Sequence, residues 1–326
     1  AGGSAPALHP PGPRRAARAP MPLVVEEHGH ALHVRGEGLE LSVDRAAARV
    51  DHLIRDGGAL LLAGPEATLW RAPTDNDGLK QGWMKGLRTL GDWPRAGLDR
   101  LERKPLSVTW KKARDGNVHV RLESVLVGTD PAVMAHHRED LVLHPTGRLD
   151  AVETFETPPE WKDLPRVGVV LALPGRFERL EWLGLGPHET YPDRRASGRF
   201  GRFTSTVTAQ YVPYAVPQEH GHHHETRWVA LEAGAGEGLL VTAPKPFGFS
   251  ASHYRAADLT GALHTTDLEP RAETVLHLDA AHRGLGTASC GPDVLPRYRI
   301  PPGRHRLVWS LLPYRADRDD PGRLAR

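Results

Sequence analysis

Apolar runs of strand length, each cut off by glycine or proline, recur along almost the whole chain and leave little room for long helices. RVGVVLALPG (166–175), RLEWLGLG (179–186), GLLVTAP (238–244), ETVLHLDAA (273–281) and RHRLVWSLLPY (304–314) are examples. In LELSVD, Leu39, Leu41 and Val43 alternate with partners in the period of two that marks a half-buried strand. Asp56-Gly57-Gly58 lies between two apolar runs and predicts a hairpin, because glycine tolerates positive φ. A second turn is expected at Pro145-Thr146-Gly147, with Leu149, Ala151, Glu153 and Phe155 on one side of the return strand; Glu153 interrupts that apolar side and makes its register ambiguous. Only QGWMKGLRTLGDW (81–93) suggests a helix, and its three glycines weaken it. No strand–helix alternation of the kind a (β/α)₈ barrel needs is visible. The expectation is an all-β fold, one large antiparallel β-sandwich over residues 23–314. Residues 1–22 read as a flexible Ala/Pro/Arg-rich leader or linker, and residues 315–326 as a polar C-terminal tail.

Charge and cysteine content narrow the function classes. Lys and Arg number 42 against 40 Asp and Glu, so no single-sign field favours nucleic acid as a partner. The lone cysteine, Cys290, precludes an intrachain disulfide, so folding needs no oxidising compartment, and a cytoplasmic location is expected. No apolar run approaches the roughly 18–20 residues that cross a bilayer, and no membrane partner is expected. The first residues lack the apolar stretch of a signal peptide. GxSxG, Walker A, Rossmann glycine, HExxH and CxxC patterns are all absent from the sequence.

Four polar segments interrupt the strand pattern. TLWRAPTDNDG (68–78) gathers Trp70, Arg71, Asp75, Asn76 and Asp77 in one turn; such Asx residues close their own turn, and the same oxygens could ligate a hard cation. EWLGLGPHETYPDRR (181–195) places Glu189, Tyr191, Asp193 and Arg194 in a loop straight after an apolar strand. The pair Glu189 and Asp193 invites a glycosidase acid/base reading, which needs carboxyls about 5–10 Å apart across a sugar. Asp193 beside Arg194 and Arg195 is more economically an ion-paired brace. PQEHGHHHETRW (217–228) holds Glu219 and the metal-ligand candidates His220, His222 and His224. Its simpler reading is a loop or strand edge, partly protonated near pH 6. GLGTASCGPDV (284–294) carries Ser289 and Cys290, the latter a small residue in a tight loop without a nucleophile's signature.

Taken in order from about Leu23 to Tyr314, LWRAPTDNDG, EWLGLGPHETYPDR, YVPYAVPQEHG with TRW, GLGTASCGP and the final LVWSLLPY resemble the C-terminal domain, or separate small subunit, of the large multidomain β-galactosidases. The resemblance implies a super-sandwich related to galactose mutarotases, with no catalytic residue in this chain and no cofactor bound by it. It places both catalytic glutamates and the Mg²⁺ ligands in a partner barrel, a domain or large subunit that acts on a galactoside. In the family the GLGT-type loop lends a tryptophan to the sugar pocket. The matching position here is Cys290, next to Ser289, which makes these two the candidate pocket-edge residues and removes an aromatic stacking surface. A free-standing aldose epimerase, or a carbohydrate-binding sandwich without catalytic duty, is the alternative the sequence leaves open.

Overall fold

The computed structural model describes residues 21–80 and 89–326. The expected leader therefore lies largely outside the described residues, as does most of the 81–93 segment. The part of the latter that is described belongs to a helix, α1 (Thr89–Ala96).

An all-β antiparallel sandwich forms, as the turn-punctuated apolar runs predict. The first sheet is a five-stranded meander, β1 (Val24–His28), β2 (Ala31–Gly36), β3 (Leu39–Asp44), β4 (Arg49–Arg55) and β5 (Gly58–Leu61), in sequential order. β4 and β5 turn through Asp56 and Gly57, both at positive φ (50° and 79°), as a two-residue turn matching the strand twist requires. Leu39, Leu41 and Val43 are buried as their alternation predicts.

The second sheet has twelve strands. They are β6 (Ala63–Thr68), β7 (Glu102–Lys112), β8 (Val118–Val127), β9 (Met134–Leu143), β10 (Leu149–Thr157), β11 (Arg166–Pro174), β12 (Arg179–Gly186), β13 (Arg199–Thr206), β14 (His223–Glu232), β15 (Glu237–Ser252), β16 (Glu273–His282) and β17 (Gly303–Arg315). Its main path runs β13-β12-β14-β15-β17-β10-β9-β8-β7. The 16-residue β15 also pairs with β16, which pairs with β11, and β11 in turn with β6. That branch turns the sheet over a core holding Trp182, Trp309, Phe155, Phe177 and Phe249, all nearly inaccessible. Helix α2 (Ala256–Gly261) caps the loop between β15 and β16, and a last short helix, α3 (Pro321–Leu324), follows β17. Asp320 at its N-cap pairs with Arg202 of β13.

Glu153 does not displace the register of β10. Leu149, Ala151, Glu153 and Phe155 all face inward, and Glu153 is held there by His137 (2.9 Å) and the Trp309 indole (3.2 Å). Directly across on β9, buried Glu139 is pushed well above the ordinary carboxylate range, first by burial and then by Glu153. Glu153 inside the apolar strand face thus marks a hydrogen-bonded contact and not a slip.

Candidate functional site

The four polar segments, up to about 200 residues apart in sequence, meet on one face of the sandwich. The Asp77 turn closes itself as its Asx chemistry predicts. Thr74 donates its backbone N–H (2.8 Å) and hydroxyl (3.0 Å) to the Asp77 carboxylate. Behind it Arg71 forks onto both Asp77 oxygens at 2.7 and 3.0 Å, a bidentate pair with neither side chain exposed. Arg283 approaches the same carboxylate at 3.4 Å and donates onward to Asp163 (3.0 Å) and Asp293 (2.9 Å). Trp93 lies between the two guanidiniums, its ring 5.2 Å from Arg71 and 5.7 Å from Arg283. Burial alone would lower the Arg283 pKa, but Asp163 and Asp77 overcome it and the net shift is upward. Trp70 is buried against Trp93 and donates its indole N–H to Thr260.

Asn76 and Asp193 together hold the loop that carries Ser289 and Cys290. Asn76 donates to Gly286 O (2.8 Å) and accepts from the Ser289 amide (3.1 Å) and hydroxyl (2.8 Å). Asp193 accepts the amides of Leu285 (2.9 Å) and Gly286 (2.7 Å). Position 284 must be glycine for this approach, since a Cβ there would sit 2.7 Å from the Asp193 carboxyl carbon. The expected ion-paired brace is thus corrected. Asp193 does brace a loop, but through backbone amides; Arg195 bonds Glu225 instead, and Arg194 is exposed. Thr287 O accepts the amides of Cys290 (3.1 Å) and Gly291 (2.7 Å), a tight turn that leaves Cys290 exposed. Its neighbours Ala288 and Gly291 line a cleft of about 780 Å³, with Asn76, Trp93, Trp161 and Asp163 on the other walls. Asp75 stands outside this ring, exposed and linked to Gln218.

Glu189 is fully engaged. It accepts from Tyr191 (3.1 Å), from Tyr214 and from the Gly221 amide (2.8 Å). Burial, then Glu189, raises the Tyr191 pKa well above its usual value, so the phenol stays a donor. Glu219 meets the buried Arg166, which donates to it at 2.6 Å and stands 3.1 Å from Asp279. Burial pushes both carboxylates up, but Arg166, with His282 at Glu219 and His222 at Asp279, more than reverses this, holding Glu219 well below and Asp279 below the ordinary range.

The histidine tract is corrected in two respects. Residues 217–222 are loop, as one of its readings has it, but His223 and His224 open β14, an interior strand between β12 and β15 and not an edge. His220, His222 and His223 are also buried, and His223 and His224 stay neutral well below pH 6. Burial first, then the His222 charge, lowers His223 to about 3 and His224 to about 4. Burial likewise takes His277 and His282 of β16 to about 3. His222 and His224 do share a face, 6.2 Å between ring centroids, while His220 turns onto Gln218 O and the Tyr211 ring. Among the described residues no group of three or more His, Cys, Asp or Glu is placed to hold a metal ion.

These histidines carry a pH signature. His223, His224, His277 and His282 are neutral in the fold but protonate when unfolded below about 6.5, so the unfolded chain binds more protons in acid. Their contribution is complete above pH 6.5 and declines as pH falls toward 3, at up to about 1.4 kcal/mol per pH unit for each group. Urea-unfolding midpoints should therefore fall from pH 6.5 to 4.5, opposed in part by Glu139, whose raised folded-state pKa favours the fold as it takes up its proton. A flat profile there would mean these rings are solvated.

Every carboxylate of the sequence-predicted set with a place in this face already accepts hydrogen bonds from the chain itself. The arrangement positions loops. Arg166, Arg283, Asp279 and His282 complete it but escape sequence reasoning, since each lies within or beside an apolar strand run. Their signal was the pattern of charges breaking HLDAAHR at 277–283.

A family model described as "Beta galactosidase small chain" matches residues 35–311. The chain belongs to the β-galactosidase small-chain family. Curated relatives agree: it is 33% identical over 288 residues to a β-galactosidase of Arthrobacter sp. (strain B7), covering 78% of this chain and 27% of that protein. The β-galactosidase of Kluyveromyces lactis is 30% identical over 276 residues, covering 82% and 26%. The chain thus spans about a quarter of the length of these relatives. Among solved structures, galactose 1-epimerase from Lactobacillus acidophilus aligns at TM-score 0.48 and 10% identity, covering 90% of this chain and 98% of that one. No helix among the described residues is long and apolar enough to cross a membrane.

Proposed function

We propose that this small-chain domain is a non-catalytic component of a β-galactosidase, walling the sugar pocket while another unit cleaves terminal β-D-galactosides. One observation carries the reading. Two of the family-like motifs, through Asn76 and Asp193, hold the 284–292 loop, while Glu189, Asp193, Glu219 and Asp77 are all committed to internal contacts. A retaining reaction by two carboxylates, with Mg²⁺ nearby, belongs on this reading to a catalytic barrel, either a domain of the same chain or a large subunit. The chain alone would be inactive, and the assembled enzyme cytoplasmic. Its share of the work is to exclude water and fix the pocket edge through Ser289 and Cys290.

The pocket-edge role is tested by Cys290→Trp in the enzyme assembled with its barrel. Cys290 is exposed on a tight turn, so an indole there has room to meet a sugar's C–H face. The expected result is a several-fold lower KM for galactosides with kcat little changed, since stacking acts on bound substrate and product alike. Unchanged kinetics would place the loop away from the substrate.

A further inference from the structure

Glu139 and Glu153 stand at paired positions on β9 and β10, and both side chains point into the core, 1% and 0% exposed. Two carboxylates so placed oppose each other's ionisation, because no water lies between them to screen the charges. Their surroundings decide which one stays charged. Glu153 accepts from His137 of β9 and from the Trp309 indole of β17, whereas neither oxygen of Glu139 has a hydrogen-bond partner among the described residues. An ionised carboxylate without donors is the costliest form of a buried acid, and a proton relieves it.

Arg103 of β7 is the cation that acts on Glu139, yet its guanidinium donates to Ala47 O and Ala48 O in the turn between β3 and β4. Arg49 of β4 and Glu66 of β6 act on Arg103 with opposite signs. Asp140, on the other side of β9, pairs with Arg121 (2.6 Å) and Arg138 (3.1 Å). Arg103 thus ties the second sheet to the first, which it can do while Glu139 makes no claim on it. We propose that Glu139 is a protonated acid at neutral pH and that its ionisation in alkali draws Arg103 off the Ala47 and Ala48 carbonyls, an alkali-sensitive latch between the two sheets. Burial first, then Glu153, favours the proton, and Arg103 opposes them. Unfolded, the group gives its proton up near 4.5, while the fold retains it. Its contribution to stability is therefore complete below 4.5, declines as pH rises, and is lost once the folded group titrates. This inference stands apart from the galactosidase reading, since it concerns only how the two sheets are joined.

The test sets the full chain beside Glu139→Gln, whose amide resembles the neutral acid, and follows urea unfolding from about pH 5 to 9. The buried histidines contribute alike to both proteins and cancel. The variant should be the more stable, its folding equilibrium constant gaining on the parent's by about tenfold per pH unit and levelling off only above neutral pH. A ratio that stays flat or levels off below pH 7 overturns the proposal. So does a variant that fails to fold at neutral pH, since the amide is the nearest likeness of the neutral acid. The latch itself is read by hydrogen exchange at the Arg45 amide, which donates to His30 O beside the tethered turn. In the parent its protection should fall in alkali beyond the intrinsic rise in exchange rate, and in Glu139→Gln it should follow the intrinsic rise alone. The same course in both proteins overturns the release of Arg103.

Discussion

Arg166→Met should destabilise the chain by about 3–5 kcal/mol, a large part of the roughly 5–15 kcal/mol that holds a domain folded. Arg166 is inaccessible, donates to Glu219 at 2.6 Å, stands 3.1 Å from Asp279 and touches His277 at 3.3 Å. Methionine fills much of the volume but leaves two carboxylates buried without the charge that keeps them ionised. The cost comes from those orphans and not from lost contact area, which gives the prediction two further readouts. Adding Asp279→Asn to Arg166→Met should recover part of the loss, because one stranded charge is gone. The deficit should also shrink in acid. Glu219 titrates well below 4.5 in the parent fold, so its contribution is present above 4.5 and is lost as pH falls through its folded value. The variant never had that contribution, and the two unfolding curves should converge on acidification. Urea titrations at neutral pH and at successive steps below pH 4.5 check this; a small loss at neutral pH would mean water already shares the work of Arg166.

Much of the architecture was legible because its signals are local. Asp56-Gly57 specifies its hairpin within a few residues, and the alternation of Leu39, Leu41 and Val43 specifies which side of β3 is buried. The candidate face was half legible. Asp77, Asn76, Glu189 and Asp193 stand out as polar clusters in loops between apolar runs. Their partners do not, because each contact joins residues far apart in sequence: Asp77 and Arg283 are 206 positions apart, Ser289 and Asn76 are 213. The 217–224 histidines were misjudged for the same reason. A run of imidazoles reads as wet, and its burial comes from distant contacts, the pairing of β14 between β12 and β15 for His223 and the packing of the preceding loop on Thr190 and Tyr211 for His222 and His220. Asp193 shows the limit most sharply. Its sequence neighbours Arg194 and Arg195 suggested an ion pair, whereas folding brings the Leu285 and Gly286 amides closer to it.

The largest effect expected is in activity, where assembly should take hydrolysis from nothing to a normal turnover. Glu189 and Asp193, the pair that invites an acid/base reading, both accept internal hydrogen bonds, Glu189 from Tyr191, Tyr214 and Gly221 and Asp193 from the Leu285 and Gly286 amides. On the proposed function the acid and base belong to the barrel. Hydrolysis of a chromogenic β-galactoside by the purified chain, before and after addition of the barrel-bearing partner, tests this directly. The account predicts no activity from the chain alone and hydrolysis once the partner is added. Turnover by the isolated chain would contradict it, as would full activity of the partner without this chain.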